Sequence, residues 1–323
     1  MAKKYKLSLL CIAALYAWFI YAATTPDLPT PQNSLVFYSN QKRQDLDLTL
    51  RESLKQATRS IHLTMYALTE SKIIEILQTK AGAGVDVKVF YDPSTGGKKL
   101  PSPIQSHPIQ SRGLMHRKIV VIDDALVFLG SANMTRASLS LHDNLTCGIY
   151  HPGLSQFLQS PTASFFKFTI ASQPAEIWLL PDKTGQALTT LLSQIHSAKT
   201  SISIAMFTLT HPALVEALSA AHRRGVAVTV ALDYYAGRGA SQKAVKHLTE
   251  IGIKILLSQG AQLLHHKWAY IDQETLILGS TNWTKAAFTK NQDCLLFLFE
   301  LSQDQKKYLN TLWNIILLEG RII

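Results

Sequence analysis

Apolar and polar positions along the chain fall into three regimes. Residues Leu7 to Ala23 read LSLLCIAALYAWFIYAA, apolar except for Ser8, with Lys3, Lys4 and Lys6 before them and no charge again until Asp27. The run exceeds a usual signal-peptide core and sits at the short limit for a spanning helix, and no Ala-x-Ala follows it. An uncleaved membrane anchor is therefore favoured over a removed signal. The basic flank would stay in the cytoplasm and the body of the chain would cross. The next stretch, TTPDLPTPQNS, is rich in Pro, Thr and polar residues and reads as an extended linker. The expected division is an anchor or signal segment over 1–24 and a linker over 25–34.

The third regime is a pattern of short β-like runs and helical periods that occurs twice. RSIHLTMYALT at Arg59–Thr69 matches TSISIAMFTLT at Thr200–Thr210, and each lies between helical patterns. GVDVKVFYD, ending at Asp92, matches GVAVTVALD, ending at Asp233. Two further apolar runs follow in each copy, VVID with VFLG and AYID with LILG, which read as buried strands joined by a tight turn. Each half thus predicts β-α-β-α-β-β-β, an α/β fold (α-β-α sandwich) of two similar halves, 35–173 and 174–323, with mixed sheets flanked by helices. Between Asp92 and His116 the Gly-, Pro- and Ser-rich stretch predicts a loop, whereas the second half carries the helix-like SQKAVKHLTEIG there. LSQFLQSPTASFFKFTIAS predicts a helix broken or kinked at Pro161. LSQDQKKYLNTLWNIILLEG predicts an amphipathic helix with Tyr308, Leu312, Ile315 and Ile316 near one face. Each is expected to pack over its own half.

The tightest repetition is chemical. Met115–Asn133 reads MHRKIVVIDDALVFLGSAN and Leu264–Asn282 reads LHHKWAYIDQETLILGSTN. His116, Lys118, Asp123, Gly130, Ser131 and Asn133 recur as His265, Lys267, Asp272, Gly279, Ser280 and Asn282. On a strand each His and its Lys share one face, while Asp123 and Asp272 lie past the strand and are better placed to tie down the turn. Asn133 and Asn282 lie beyond the second strand, which an antiparallel neighbour could bring back beside the His. Two imidazoles, two ammonium groups and two amides suit phosphodiester transfer: the lysines and asparagines hold the non-bridging oxygens, one His attacks phosphorus and the other protonates the departing oxygen. A single site needs both copies. His266, next to His265, faces the opposite way and is expected to be structural.

Composition narrows this only a little. The net charge of +10 and pI of about 9.4 fit a polyanionic partner, nucleic acid or anionic bilayer, without separating them. No motif for base edges is present. Cys11, Cys147 and Cys294 make no disulfide framework, the last two reading as buried thiols. No His, Cys or carboxylate cluster has metal-ligand spacing, so neither metal nor other cofactor is expected.

The doubled H-x-K-x4-D-x6-G-S-x-N pattern resembles the phospholipase D superfamily, and the second copy, with HHK, GSTNWTKAA and NQD, is similar to its small endonuclease-like branch. The resemblance implies one active site shared between the halves. It also implies that a carboxylate downstream of one motif orients the reactive His of the other half. Asp293 and Asn144 stand at the same distance past their own histidines, so Asp293 would serve His116, while His265 would receive the Asn144 amide or Asp143 would swing in. His116 is then the expected nucleophile and His265 the acid and base, and Asn144→Asp is expected to raise turnover. Lys98, Lys99 and Arg112, in the loop before His116, could meet an anionic substrate. The expected activity is a membrane-anchored, monomeric phosphodiesterase acting on phospholipid by hydrolysis or transfer. A nuclease and a catalytically idle phosphate-binding relative are the alternatives, and no obligate protein partner is expected.

Overall fold

In a computed structural model of the chain, residues 11, 12, 15, 16, 25–95, 100–259 and 262–323 are described. The segment expected to anchor the chain lies almost wholly outside these residues, as do Lys98 and Lys99. Among the described residues no helix is long and apolar enough to cross a membrane.

The first half contains β1 (Leu35–Tyr38), α1 (Leu46–Gln56), β2 (Ser60–Met65), α2 (Ser71–Gly82), β3 (Asp86–Tyr91), β4 (Gln105–Pro108), β5 (Lys118–Ile122), β6 (Leu126–Gly130), α3 (Arg136–Ser140), β7 (Thr146–Tyr150) and α4 (Pro152–Gln159). Then follow β8 (Phe165–Ile170), β9 (Gln173–Leu179), α5 (Gln186–Ser197), β10 (Ser201–Met206), α6 (Pro212–Arg223), β11 (Ala227–Leu232), α7 (Tyr234–Arg238) and α8 (Gln242–Glu250). The chain continues through β12 (Lys254–Ser258), β13 (Lys267–Ile271), β14 (Thr275–Gly279), α9 (Lys285–Thr289), β15 (Cys294–Leu298), α10 (Gln303–Glu319) and β16 (Gly320–Ile322).

One sheet runs in the order β1-β7-β6-β5-β2-β3-β4 and the other β16-β12-β11-β10-β13-β14-β15-β9-β8. Each is mixed, with β2-β3-β4 and β10-β11-β12 parallel and the hairpins beside them antiparallel. Apolar spacing explains the outer helices: Leu46, Leu50 and Leu54 of α1, and Ala187, Leu191 and Ile195 of α5, recur every four residues and are buried against their own sheets. The inner faces share a core. Val127, Leu129 and Cys147 of the first sheet lie in one cluster with Leu276, Leu278 and Leu296 of the second, together with Leu154 of α4 and Leu309, Leu312 and Ile316 of α10. Strands covered on both faces cannot alternate, which is why KIVVI and KWAYI are buried at every position.

Three expectations from the sequence change. The stretch between Asp92 and His116 is not all loop: β4 pairs in parallel with β3, Lys88 opposite Gln105. As a short, largely exposed edge strand it carries no apolar alternation to announce it. The helix expected to be broken or kinked at Pro161 ends at Gln159, and no helix resumes after the proline. Phe165, Phe166, Phe168 and Ile170 then form the strand β8, as their aromatic and β-branched character favours. Nor does each closing segment keep to its own half. Strand β8 joins the second sheet through β9, and α10 reaches the first half, where the Tyr308 hydroxyl donates to Gln44 Oε1 at 2.7 Å and its ring lies 5.5 Å from that of Phe37.

The β5-β6 and β13-β14 hairpins turn on Asp123-Asp124 and Asp272-Gln273, all with positive φ, the conformation a two-residue turn between twisted strands requires. The Asp123 carboxylate accepts from the backbone amides of Thr58, Arg59 and Ser60 at 2.7–3.1 Å, and Asp272 accepts from those of Lys199, Thr200 and Ser201 at 2.7–2.9 Å. Each Asp thus locks its hairpin to the start of the neighbouring parallel strand. Asp123→Asn or Asp272→Asn is expected to destabilise the fold by about 1–3 kcal/mol in urea denaturation, since an amide cannot accept at both oxygens. Unchanged midpoints would remove this role.

Candidate active site

The parallel strands deliver two equivalent segments to the seam between the halves, and backbone bridges join them. His116 N donates to Gln292 O at 2.8 Å and Gln292 N to Leu114 O at 2.8 Å. Across the pseudo-twofold, Asp143 N donates to Leu263 O at 2.9 Å and His265 N to Asp143 O at 3.0 Å. Asp92 and Asp233, at the ends of β3 and β11, accept from the amides of Met115 (2.7 Å) and Leu264 (3.3 Å), fixing each segment just before its histidine.

The residue after each bridge faces the opposite half's ring. His116 Nδ1 lies 2.8 Å from Asp293 Oδ1, and His265 Nδ1 lies 3.0 Å from Asn144 Oδ1. A carboxylate only accepts, so His116 carries its proton on Nδ1 and presents Nε2 as a lone pair. The Asn144 amide is oriented by its other contacts. Its Nδ2 donates to the Ser138 carbonyl at 2.8 Å while Ser131 Oγ donates to Oδ1 at 2.8 Å, so Nδ1 of His265 is a donor as well. Ser280 Oγ donates to Asp293 Oδ1 at 2.6 Å in the same way. Gly130 and Gly279 allow this approach, because a Cβ at either would lie 2.3 Å from Leu145 O or 2.1 Å from Cys294 O.

Lys118 and Lys267 are almost fully buried, each donating to the carbonyl of its own histidine at 2.7 and 2.8 Å. Their ammonium groups stand 4.8 Å from the Tyr66 ring and 5.2 Å from the Phe207 ring, which also pack against His116 and His265. The Oδ1 atoms of Asn133 and Asn282 are buried with no partner among the described residues.

Electrostatically the site is positive and crowded. Burial, reinforced by Lys118, pushes His116 down to about 4, and burial followed by Lys267, Lys118, His116 and His142 holds His265 well below the usual imidazole range. Burial brings Lys118 down to about 7, and burial with the Lys118 charge lowers Lys267 strongly. Asp293 is lowered: burial opposes this, but the His116 ring, Ser280 and Lys118 outweigh it. Two neutral imidazoles beside two desolvated ammonium groups are an arrangement an anion completes.

Of the residues singled out from the sequence, the two His-Lys pairs, Ser131, Ser280, Asn144 and Asp293 come together here. Asp123 and Asp272 lie in the hairpin turns. Asp143 is buried on the other side of its strand, lining a cavity of about 320 Å³ with Gln41, Ser258 and Glu319, and burial followed by Glu319 raises its carboxyl to about 7. Arg112 is exposed. His266 turns away to Gln41, 2.6 Å from its Nε2. Sequence reasoning missed Tyr66 and Phe207, although MYALT and MFTLT align them. It also missed the positioning role of Asp92 and Asp233, and His142, whose ring lies 6.0 Å from that of His265. Among the described residues no group of three or more His, Cys, Asp or Glu is placed to hold a metal ion.

A family model described as "Cardiolipin synthase, PLD-like domain" matches residues 50–165 and 191–313. The mitochondrial cardiolipin hydrolase of Xenopus laevis is 35% identical over 115 residues, 35% of this chain and 53% of that protein. A cardiolipin synthase of Alkalihalophilus pseudofirmus is 26% identical over 320 residues, 79% of this chain and 61% of that protein. The chain spans about half the length of the first of these relatives. The solved structure of phosphatidylserine synthase from Haemophilus influenzae Rd KW20 matches with a TM-score of 0.72 at 13% identity, over 92% of this chain and 89% of that one, a likeness of fold.

Two predictions follow from the geometry. Sulfate keeps one charge state from about pH 6 to about pH 9, so its affinity reports on the site's cations. It should weaken by about tenfold or more across that interval as Lys118, held down to about 7, loses its proton, and a flat calorimetric titration would show that it keeps it. The Asn144→Asp substitution, expected from the sequence to raise turnover, would set a carboxylate oxygen against the carbonyls of Ser138 and His142, to which Nδ2 now donates. It should instead cost about 1–3 kcal/mol of stability, more at neutral pH than in acid, where the new carboxyl can protonate and donate. A stability at or above wild type would refute this.

Proposed function

Because the chain belongs to the phospholipase D superfamily, we propose that it is a phosphodiesterase cleaving phospholipid phosphodiester bonds through a phosphohistidine on His116. The observation that carries the reading is the crossed contact of His116 with Asp293, facing a second histidine that has only an amide. When His116 Nε2 attacks phosphorus, its ring becomes cationic while Nδ1 keeps its proton, and Asp293 is positioned to stabilise that cation. As the P–O bond to the leaving group breaks, His265 gives the oxygen a proton from Nε2. Water then attacks the phosphohistidine, its proton passes to His265, and the P–N bond breaks to release the phosphomonoester. Lys118, Lys267, Asn133 and Asn282 would hold the non-bridging oxygens, the lysines regaining full charge beside the anion.

Phospholipid is favoured as substrate by the names of the relatives, a cardiolipin hydrolase and a cardiolipin synthase. Leu114 and Leu141, exposed within two residues of His116 and next to His142, add apolar surface beside the site that suits a bilayer. The N-terminal apolar segment would hold the enzyme at a membrane, with the catalytic body outside the cytoplasm. The net charge of +10 also suits nucleic acid, which makes a nuclease the second reading.

The full chain should be assayed in parallel, with EDTA present, on cardiolipin and phosphatidylglycerol vesicles and on single- and double-stranded nucleic acid. Release of phosphatidic acid is expected. His116→Ala and His265→Ala should each lower it by about a thousandfold or more, and wild type quenched with denaturant at alkaline pH should retain label from substrate on a histidine. Cleavage of nucleic acid alone would move the assignment to a nuclease, and a single mutant with near-normal rates would end the shared-site account.

A further inference from the structure

The proposed reaction asks something of His265 that its surroundings oppose. It must hold a proton on Nε2 when the leaving oxygen departs, yet it is buried between two lysines, and its Nδ1 partner is a neutral amide. His116 has Asp293 to offset a positive ring, whereas among the described residues His265 has no carboxylate contact. A proton for His265 must therefore come from a nearby group that touches water and can both take up and release a proton.

His142 fits that description. Its ring centroid lies 6.0 Å from that of His265 with the planes inclined at 55°, a gap that one bridging water or a modest ring rotation spans. It is half-buried, and among the described residues its ring has no hydrogen-bond partner. The groups acting on it are His265, Lys267 and Asp233, with Asp143 next in its own chain. Its lowered pKa, caused by burial and then by Lys267, leaves it a better donor than an unperturbed imidazole. The other half has no such group. At the equivalent position Asn291 accepts from the Leu114 amide at 3.0 Å, so the imidazole appears only on the side that lacks the carboxylate.

We infer that His142 is the proton relay of His265, carrying to solvent the proton that His265 takes from water in each hydrolysis and returning one to its Nε2 before the next cleavage; this rests on the two-histidine mechanism proposed above. In the relay a proton from water or buffer acid enters one nitrogen of His142 as the proton on its other nitrogen moves to His265 Nε2. His265 then gives that proton to the departing alkoxide, and the ring of His142 ends neutral. His142 touches no substrate in this scheme and acts only through His265.

Leaving groups differ in their need for that proton, and this provides the test. Wild type, His142→Ala and His142→Gln should be compared on bis(p-nitrophenyl) phosphate, whose nitrophenolate leaves unaided, and on phosphatidylglycerol vesicles and oligothymidylate, whose alkoxides do not. On whichever alkoxide diester wild type cleaves, the variants should lose about tenfold or more in kcat, while staying within about twofold of wild type on bis(p-nitrophenyl) phosphate. Added imidazole should restore His142→Ala but not His142→Gln. Equal losses on both substrate types would mark a structural role and overturn the relay, as would no loss on the alkoxide diester. A His116→Ala enzyme still active on bis(p-nitrophenyl) phosphate would instead refute the histidine mechanism, and the relay with it.

Discussion

Two backbone bridges across the seam, Met115 with Gln292 and Leu264 with Asp143, are the constraint on which the site depends. They set two extended segments side by side, so the residue following each bridge must face the ring opposite. The crossed contacts of His116 with Asp293 and His265 with Asn144 follow from that register. Neither half could supply them alone, because each ring and its partner come from different halves. The shared apolar layer of Val127, Leu129, Leu276 and Leu278, with α4 and α10 around it, holds the two sheets at the spacing the bridges need. A small rotation of one sheet on the other would break four backbone hydrogen bonds and both ring contacts together.

Much of this was legible in the sequence because the informative features are local. A period of two puts His and Lys on one strand face, and a Gly-Ser pair at fixed distance marks where Ser131 or Ser280 approaches its Asn or Asp partner. What could not be read depends on tertiary context. Strand β4 is polar because it is an edge, and β8 follows a proline at which a break or kink in a helix was expected rather than a change to strand. The span of α10 over both halves is set by Tyr308 meeting Phe37 and Gln44, some 260 residues earlier in the chain. Asp143 and Asn144 are adjacent in sequence, and only strand alternation together with the bridge decides that Asn144 meets His265 while Asp143 turns toward Glu319. His142 carries no signal in the sequence, because it replaces an asparagine at a position outside the motif.

The halves share a backbone and diverge in their side chains. Tyr66 stands opposite Phe207, Asp293 opposite Asn144, Asn291 opposite His142, and Arg117 opposite His266. Arg117 donates to the carbonyls of Asp293 and Leu180, bracing the segment that carries the carboxylate, whereas His266 turns to Gln41. In the mechanism proposed above, these differences make one ring the better place for a positive charge to form and the other the better place for a proton to pass through. A duplicated scaffold carrying identical side chains would give two rings competing for one role.

Charge balance explains why the second carboxylate is missing. Lys118 and Lys267 bring two positive charges into a site with little water, and Asp293 cancels one. A bound phosphodiester carries a single negative charge and would cancel the other, leaving the site neutral until His265 takes up the proton it donates. An aspartate at 144 would make the empty site neutral instead, so that a substrate anion would enter at a net cost in a medium where unbalanced charge is expensive. The depressed lysines show the same imbalance from the protein's side, since burial lowers both and they hold their protons weakly until an anion arrives. Asn144 fixes the tautomer of His265 as a carboxylate would, through one accepted hydrogen bond, without spending the charge that the substrate has to meet. The cost falls on His265, left without a counter-ion, and a neighbouring imidazole is the one kind of side chain that can meet that need without adding a permanent charge.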